Sequence, residues 1–147
     1  RRFVEAVTET GMIYAVDVEL EMLAYAKESV IHMHIGYSAE FILAQPDNPK
    51  LPYESVDLLF VCNTIHHLED RATYFRNLKS SLKPGARIAI IDFYPDDRSG
   101  DLGFPKHHLV SRDTVIAEMA EAGYQLTREH SFLPKQYFLE FVARQMR

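Results

Sequence analysis

VDLLFVCNTIHHLED, residues 56–70, opens on a seven-residue apolar run, VDLLFVC, without period-2 alternation. That is the pattern of a strand buried on both faces of a parallel sheet. The run then breaks into polar residues, so the strand delivers Asn63, Thr64, His66 and His67 to one rim. In open α/β sheets ligands bind in the crevice beyond the carboxyl ends of the strands, which makes these four side chains the first candidates for chemistry.

Two runs of the same kind flank it. Upstream, residues 12–16 (MIYAV) are a buried strand closed by Asp17; downstream, residues 87–93 (RIAIIDF) are a doubly buried strand that carries a carboxylate near its end, Asp92. Residues 19–29 place Leu20, Leu23, Ala24 and Ala26 among Glu21, Lys27 and Glu28, a spacing that predicts a helix with one buried stripe. Residues 30–35 (VIHMHI) alternate and predict a third strand, ended by Gly36. His32 and His34 would share one of its faces, but with no third ligand nearby no metal site is expected. Pro46, Pro49, Pro52 and the Asp47-Asn48 pair predict an irregular connection over residues 38–52.

Beyond the central run, residues 69–82 predict a helix whose stripe is Phe75, Leu78 and Leu82 beneath exposed Arg71, Arg76 and Lys79, stopped by Pro84-Gly85. A helix over residues 112–122 starts at an N-cap, Ser111, and ends at Gly123. Residues 124–132 and 136–143 are strands joined by too few residues for a parallel crossover, so they are antiparallel neighbours. The first residues, Arg1 to Val7, read as the middle of an amphipathic helix. The alternation predicts one doubly wound α/β domain, mostly parallel, with an antiparallel C-terminal edge hairpin.

A chain of 147 residues with 47% hydrophobic content suits one domain with a sizeable core. With 16 basic and 21 acidic residues, a net charge of −5 and no Lys/Arg cluster, no nucleic-acid partner is expected. The single cysteine, Cys62, excludes a disulfide framework within the chain and is expected as a small buried hydrophobe. No stretch approaches the roughly 20 apolar residues of a membrane span, so no membrane partner and a cytoplasmic location are expected.

A carboxylate placed like Asp17, at the end of a strand and before a helix, is the device that accepts hydrogen bonds from the two hydroxyls of an adenosine ribose, and it can also cap the helix. Residues 94–109 follow a strand ending on the same rim and are too long and too rich in Pro, Gly and Asp for a mere connection. With Tyr94, Phe104, His107 and His108 they suit a lid over a small, partly apolar molecule. A proton acceptor, if one is needed, would be His66 or His67, or a lid histidine.

Three pieces in order, AVDVELEMLAYAKE (15–28), LPYESVDLLFVCNTIHHLED (51–70) and LKPGARIAIIDF (82–93), resemble the class I S-adenosylmethionine-dependent methyltransferases of type 11. The likeness is to the small-molecule enzymes related to the ubiquinone/menaquinone-biosynthesis methyltransferases. It implies S-adenosyl-L-methionine as cofactor and in-line methyl transfer to a small-molecule acceptor. Asp17 would hold the ribose, Val18 and Met22 would pack on the adenine, and Ser38 and Ala39 would read the adenine edge where the family has an acid followed by Ala. The loop from Asn63 and Thr64 to His67 would face the methionine moiety, with Tyr94, His107 and His108 on the acceptor side. The family also has a strand and a Gly-x-Gly-x-Gly turn ahead of the position of Arg1. The chain is therefore expected to be N-terminally partial, with a gap in the sheet between the strands at 12–16 and 56–62. Two rivals remain: a nicotinamide-dependent oxidoreductase, which would also use Asp17 but whose sheet is normally parallel throughout, and a non-catalytic interaction domain of the same fold.

Overall fold

The structure, a computed structural model, describes residues 7, 11–31 and 38–144. Apart from Val7, the helix read into the first residues lies outside them, as does the His32/His34 face. The elements in order are β1 (Met12–Asp17), α1 (Leu20–Ile31), β2 (Ser38–Leu43), β3 (Val56–Cys62), α2 (Arg71–Leu78), β4 (Leu82–Phe93), α3 (Arg112–Glu121), β5 (Tyr124–His130) and β6 (Gln136–Ala143). β1 pairs in parallel with β2, and a second ladder has the order β3-β4-β6-β5. In it β3 and β4 are parallel, while β6 runs against both β4 and β5. The closing hairpin thus occupies one edge of an otherwise parallel α/β sheet. No ladder joins β1 to β3 among the described residues. The β1–β2 pair is held instead by packing of Tyr14, Val16 and Ile42 against the main core.

That core lies on one face of the second ladder. Ile88, Ile90 and Leu139 are fully buried there beneath Phe75 and Leu78 of α2 and Val115 and Met119 of α3. Each such side chain contributes about 1.5–3 kcal/mol relative to exposure. Buried Tyr124 donates its hydroxyl to the carbonyl of Phe75 at 2.8 Å, and burial pushes its phenol pKa up. Ser111 caps α3 as its sequence context predicts, its Oγ accepting from the Thr114 N–H at 3.1 Å. Gly123 closes that helix at φ +88°, where a Cβ would run into the Lys79 side chain.

Several expectations are corrected. Residues 38–43 are not irregular but form β2, because the prolines that forbid regular structure begin only at Pro46. Val30 and Ile31 belong to α1, not to a strand, and the helix turns Leu23, Ala26 and Val30 inward while Leu20 and Ala24 are exposed. β3 is not buried on both faces: Leu59 and Val61 pack on the core, whereas Leu58 (43%) and Phe60 (39%) are exposed on the other face. Cys62 shares that face and is exposed, with its thiol pKa pushed up by the burial it retains and then by the Asp92 carboxylate. The helix read over 69–82 ends at Leu78 and passes through a 3-10 turn into β4. Pro84-Gly85 therefore lies inside β4, in an irregularity that sets Val56 opposite Leu82 and Leu58 opposite Arg87. Arg71, read as exposed, is largely covered and pairs through its guanidinium with Glu118 of α3.

Candidate functional site

At the tip of β3 the chain leaves the sheet abruptly. Asn63 takes φ +53°, a left-handed conformation that Asn tolerates better than most residues. Its N–H still donates to the carbonyl of Ile91 at 2.9 Å, and its Oδ1 accepts from Gln136 Nε2 at 2.7 Å. Thr64 donates its hydroxyl back to the Cys62 carbonyl at 3.0 Å and starts a single 3-10 turn, Ile65–His67. Ile65 is fully buried and anchors the turn, so that His66 and His67 stand on the rim with ring centroids 4.1 Å apart.

Asp92 of β4 comes up beneath this turn. It is fully buried, an arrangement that costs several kcal/mol unless the carboxylate is satisfied. Both of its oxygens are: Oδ2 lies 2.7 Å from His66 Nδ1, and Oδ1 accepts from the Phe93 N–H at 2.8 Å. From the lid, the ring of Phe104 lies nearly parallel to His66 at 6.3 Å. Tyr94 packs edge-on against Tyr137 at 5.8 Å, and the Arg98 guanidinium sits 3.6 Å above the Tyr94 ring. Arg98 also grips Asp96 and holds its carboxyl down to about 2. His107 and His108 stand exposed on a separate 3-10 turn, their rings 4.3 Å apart. Within residues 94–109, the ring contact to the rim turn comes from Phe104.

Asp17 ends β1, and its Oδ1 accepts from the Glu19 N–H at 2.9 Å, closing a turn ahead of α1 rather than capping it: the first helical bond runs from the Leu23 N–H to the Glu19 carbonyl, which puts Glu19 at the cap position. Beside it opens a cavity of about 350 Å³ lined by Val16, Asp17, Met22, Leu23 and Tyr25 among others. Val18 (49% exposed) and Met22 (54%) leave apolar surface next to the carboxylate. This donor set fits an adenosine, with an acceptor for ribose hydroxyls beside walls for a purine. Ser38 and Ala39 are corrected: they pair with Met12 and Ile13, at the far end of β1. Five and four residues of parallel strand put them about 16 and 13 Å from the Asp17 end. Asp17 is reached instead by Leu43, the last residue of β2, and by Ala44 just beyond it, whose N–H donates to the Asp17 carbonyl at 2.8 Å. Among the described residues no three His, Cys, Asp or Glu side chains gather as for a metal ion, and no helix is long and apolar enough to cross a membrane.

Sequence reasoning gave no role to Asp92, Gln136 or Arg98. For Asp92 a signal existed: a carboxylate near the end of a doubly buried run must find a partner, and histidines head the neighbouring strand's loop.

Residues 2–90 match the family model described as a methyltransferase domain. Phosphoethanolamine N-methyltransferase 1 of Arabidopsis thaliana is 26% identical over 95 residues, 65% of this chain and 19% of that protein. The ubiquinone/menaquinone biosynthesis C-methyltransferase UbiE of Pseudoalteromonas translucida is 22% identical over 111 residues, 76% of this chain and 41% of that protein. The chain thus spans less than half the length of either. The crystal structure of a SAM dependent methyltransferase from Aquifex aeolicus superposes with a TM-score of 0.86 at 28% identity, over 95% of this chain and 73% of that one. With the sheet order, the strand-end carboxylate and these matches together, the chain belongs to the methyltransferase-domain family, and its cofactor is S-adenosylmethionine.

Proposed function

We propose that this domain transfers a methyl group from S-adenosylmethionine to a small-molecule acceptor by in-line displacement. When bound, the cofactor supplies an electrophilic methyl on a sulfonium, so no covalent protein nucleophile is called for and the protein's part is to orient the reactants and exclude water. Asp17 accepts the ribose hydroxyls, and Val18 and Met22 pack against the purine. Asn63 and Thr64, at the tip of β3, face the methionine end. The lid, with Tyr94, Phe104, His107 and His108, covers the acceptor.

The observation that carries this reading is the ring of Phe104 lying parallel over His66 at 6.3 Å. It makes an apolar cover above a polar rim, which suits a small, partly apolar molecule. The net charge of −5 argues in the same direction, against a polyanionic acceptor. Incubation with methyl-tritiated S-adenosylmethionine and pools of small hydroxyl and amino compounds tests it. Label is expected in the small-molecule fraction; label confined to added protein or nucleic acid would overturn the reading.

A further inference from the structure

We infer that Gln136 is a positioning residue that turns the Asn63 side-chain amide so that its Nδ2 hydrogens face the acceptor, and that the acceptor therefore carries, near the atom that is methylated, an oxygen able to receive them. The inference rests on the methyl-transfer reading above and deepens it by naming a feature of the acceptor.

Where the bond lies points to the reactant it serves. Asn63 follows β3 and Gln136 opens β6, and β4 runs between those two strands. Neighbouring strands are about 4.8 Å apart, so the two residues stand on backbones about 10 Å apart and their side chains meet across β4. Gln136 is paired with Phe93, so the crossing is made where β4 gives way to the lid at Tyr94. The Tyr94 N–H is itself tied to the residue before Gln136, donating to the Lys135 carbonyl at 3.2 Å. The amide pair therefore sits at the root of the segment that covers the acceptor.

A side-chain amide has an oxygen that accepts and a nitrogen with two hydrogens to give. Asn63 Oδ1 is taken by Gln136 Nε2 at 2.7 Å, and Nδ2 has no partner among the described residues. Asn63 is exposed, so that nitrogen is open to a ligand. Its neighbours on the turn are already committed: the Thr64 hydroxyl donates to the Cys62 carbonyl at 3.0 Å, and His66 Nδ1 lies on Asp92. The backbone of Asn63 is fixed as well, its N–H donating to the Ile91 carbonyl at 2.9 Å while φ stands at +53°. Amide hydrogens carry partial positive charge, which opposes a sulfonium and suits an oxygen. The match is thus with the acceptor rather than with the cofactor's reacting end.

Gln136→Glu and Gln136→Lys set the two orientations against each other. Glu only accepts, so it would bond Nδ2 and turn Oδ1 outward; Lys only donates, so it would hold the native orientation. Charge alone ranks them the other way, since a carboxylate attracts the sulfonium and an ammonium repels it. The acceptors are offered with methyl-tritiated S-adenosylmethionine in pairs that differ by one ether oxygen: guaiacol against 2-ethylphenol, and 2-methoxyethylamine against butylamine. The wild type is expected to prefer the ether by about 10-fold or more in kcat/KM. Gln136→Lys should keep that preference, and Gln136→Glu should lose it through a raised acceptor KM, with S-adenosylhomocysteine affinity within about twofold in both. An equal preference in the two variants overturns the inference. So does a loss of S-adenosylhomocysteine affinity in Gln136→Glu, which would put the cofactor's carboxylate on Nδ2. Nitrogen-15 NMR of the wild-type full chain reads the orientation without turnover, through the coupling across the hydrogen bond from Gln136 Nε2 to the Asn63 side-chain carbonyl carbon. Coupling in the opposite sense, from Asn63 Nδ2 to Gln136, overturns the inference whether or not methyl transfer is found. Label in no small molecule, with the expected coupling present, overturns the methyl-transfer reading and the acceptor oxygen that rests on it, and leaves the orientation of the amide standing.

Discussion

Gln136, the first residue of β6, donates its Nε2 hydrogen to Oδ1 of Asn63 at 2.7 Å, tying the tip of β3 to a strand on the far side of β4. The bond fixes the one residue of the rim that leaves its strand with φ +53°. A β-branched side chain is strained in that conformation, whereas Gly is at ease there. Asn63→Val should destabilise the domain by about 1–3 kcal/mol, and Asn63→Gly by clearly less. Urea unfolding of the two variants checks this; equal losses would mean that the backbone angle is not what Asn63 is there to supply.

The two faces of the second ladder differ in what covers them. Leu139 is fully buried between β4 and β5, so Leu139→Ala should cost about 2–5 kcal/mol. Phe60 is 39% exposed on the opposite face, and Phe60→Ala should cost well under the 3–5 kcal/mol typical of a core Phe. Thermal unfolding of both variants is the check.

Much of this was legible because apolar runs bounded by polar residues carry strand information locally. Residues 56–62 and 87–93 form parallel strands, Ser111 caps its helix and the short link before Gln136 joins antiparallel neighbours, as their patterns imply. β2 was hidden because Ser38 and Glu40 interrupt the first half of SAEFIL and its short apolar end runs straight into a proline-rich stretch. An apolar run also does not say what lies over it, so the exposure of Leu58, Phe60 and Cys62 was beyond its reach. His66 and His67 were legible as rim residues, but choosing between them needs Asp92, 26 residues away and adjacent only in space. Ser38 and Ala39 were misplaced for a related reason: without β2, the register that carries Asp17 opposite Leu43 is invisible.

The lid's first turn should be acid-sensitive. Arg98 holds the Asp96 carboxyl at about 2, below its ordinary 3.8. A carboxylate whose pKa is lowered on folding stabilises above its unfolded value, so the Asp96–Arg98 pair contributes fully above about pH 4 and is lost as pH falls through about 2. Carbon-13 titration of the Asp96 carboxyl should show the low midpoint, and Arg98→Ala should return it toward the usual range. A midpoint near 4 in the wild type would contradict the pairing.

On the acceptor side, His107→Ala and His108→Ala should alter turnover or acceptor KM while leaving cofactor affinity within about twofold. Both residues stand on the 3-10 turn Lys106–His108 and do not line the cavity beside Asp17. Loss of cofactor binding with unchanged acceptor kinetics would reverse the assignment of the two halves of the rim.

That Asp17 anchors an adenosine-type cofactor is tested most directly by calorimetry with S-adenosylhomocysteine on the full chain and on Asp17→Ala. Hydrogen bonds to a charged acceptor contribute about 1.5–3 kcal/mol, so the variant should bind roughly 10- to 150-fold more weakly. Equal affinity for the two proteins would contradict the assignment of Asp17, and with it the placing of the cofactor at the end of β1.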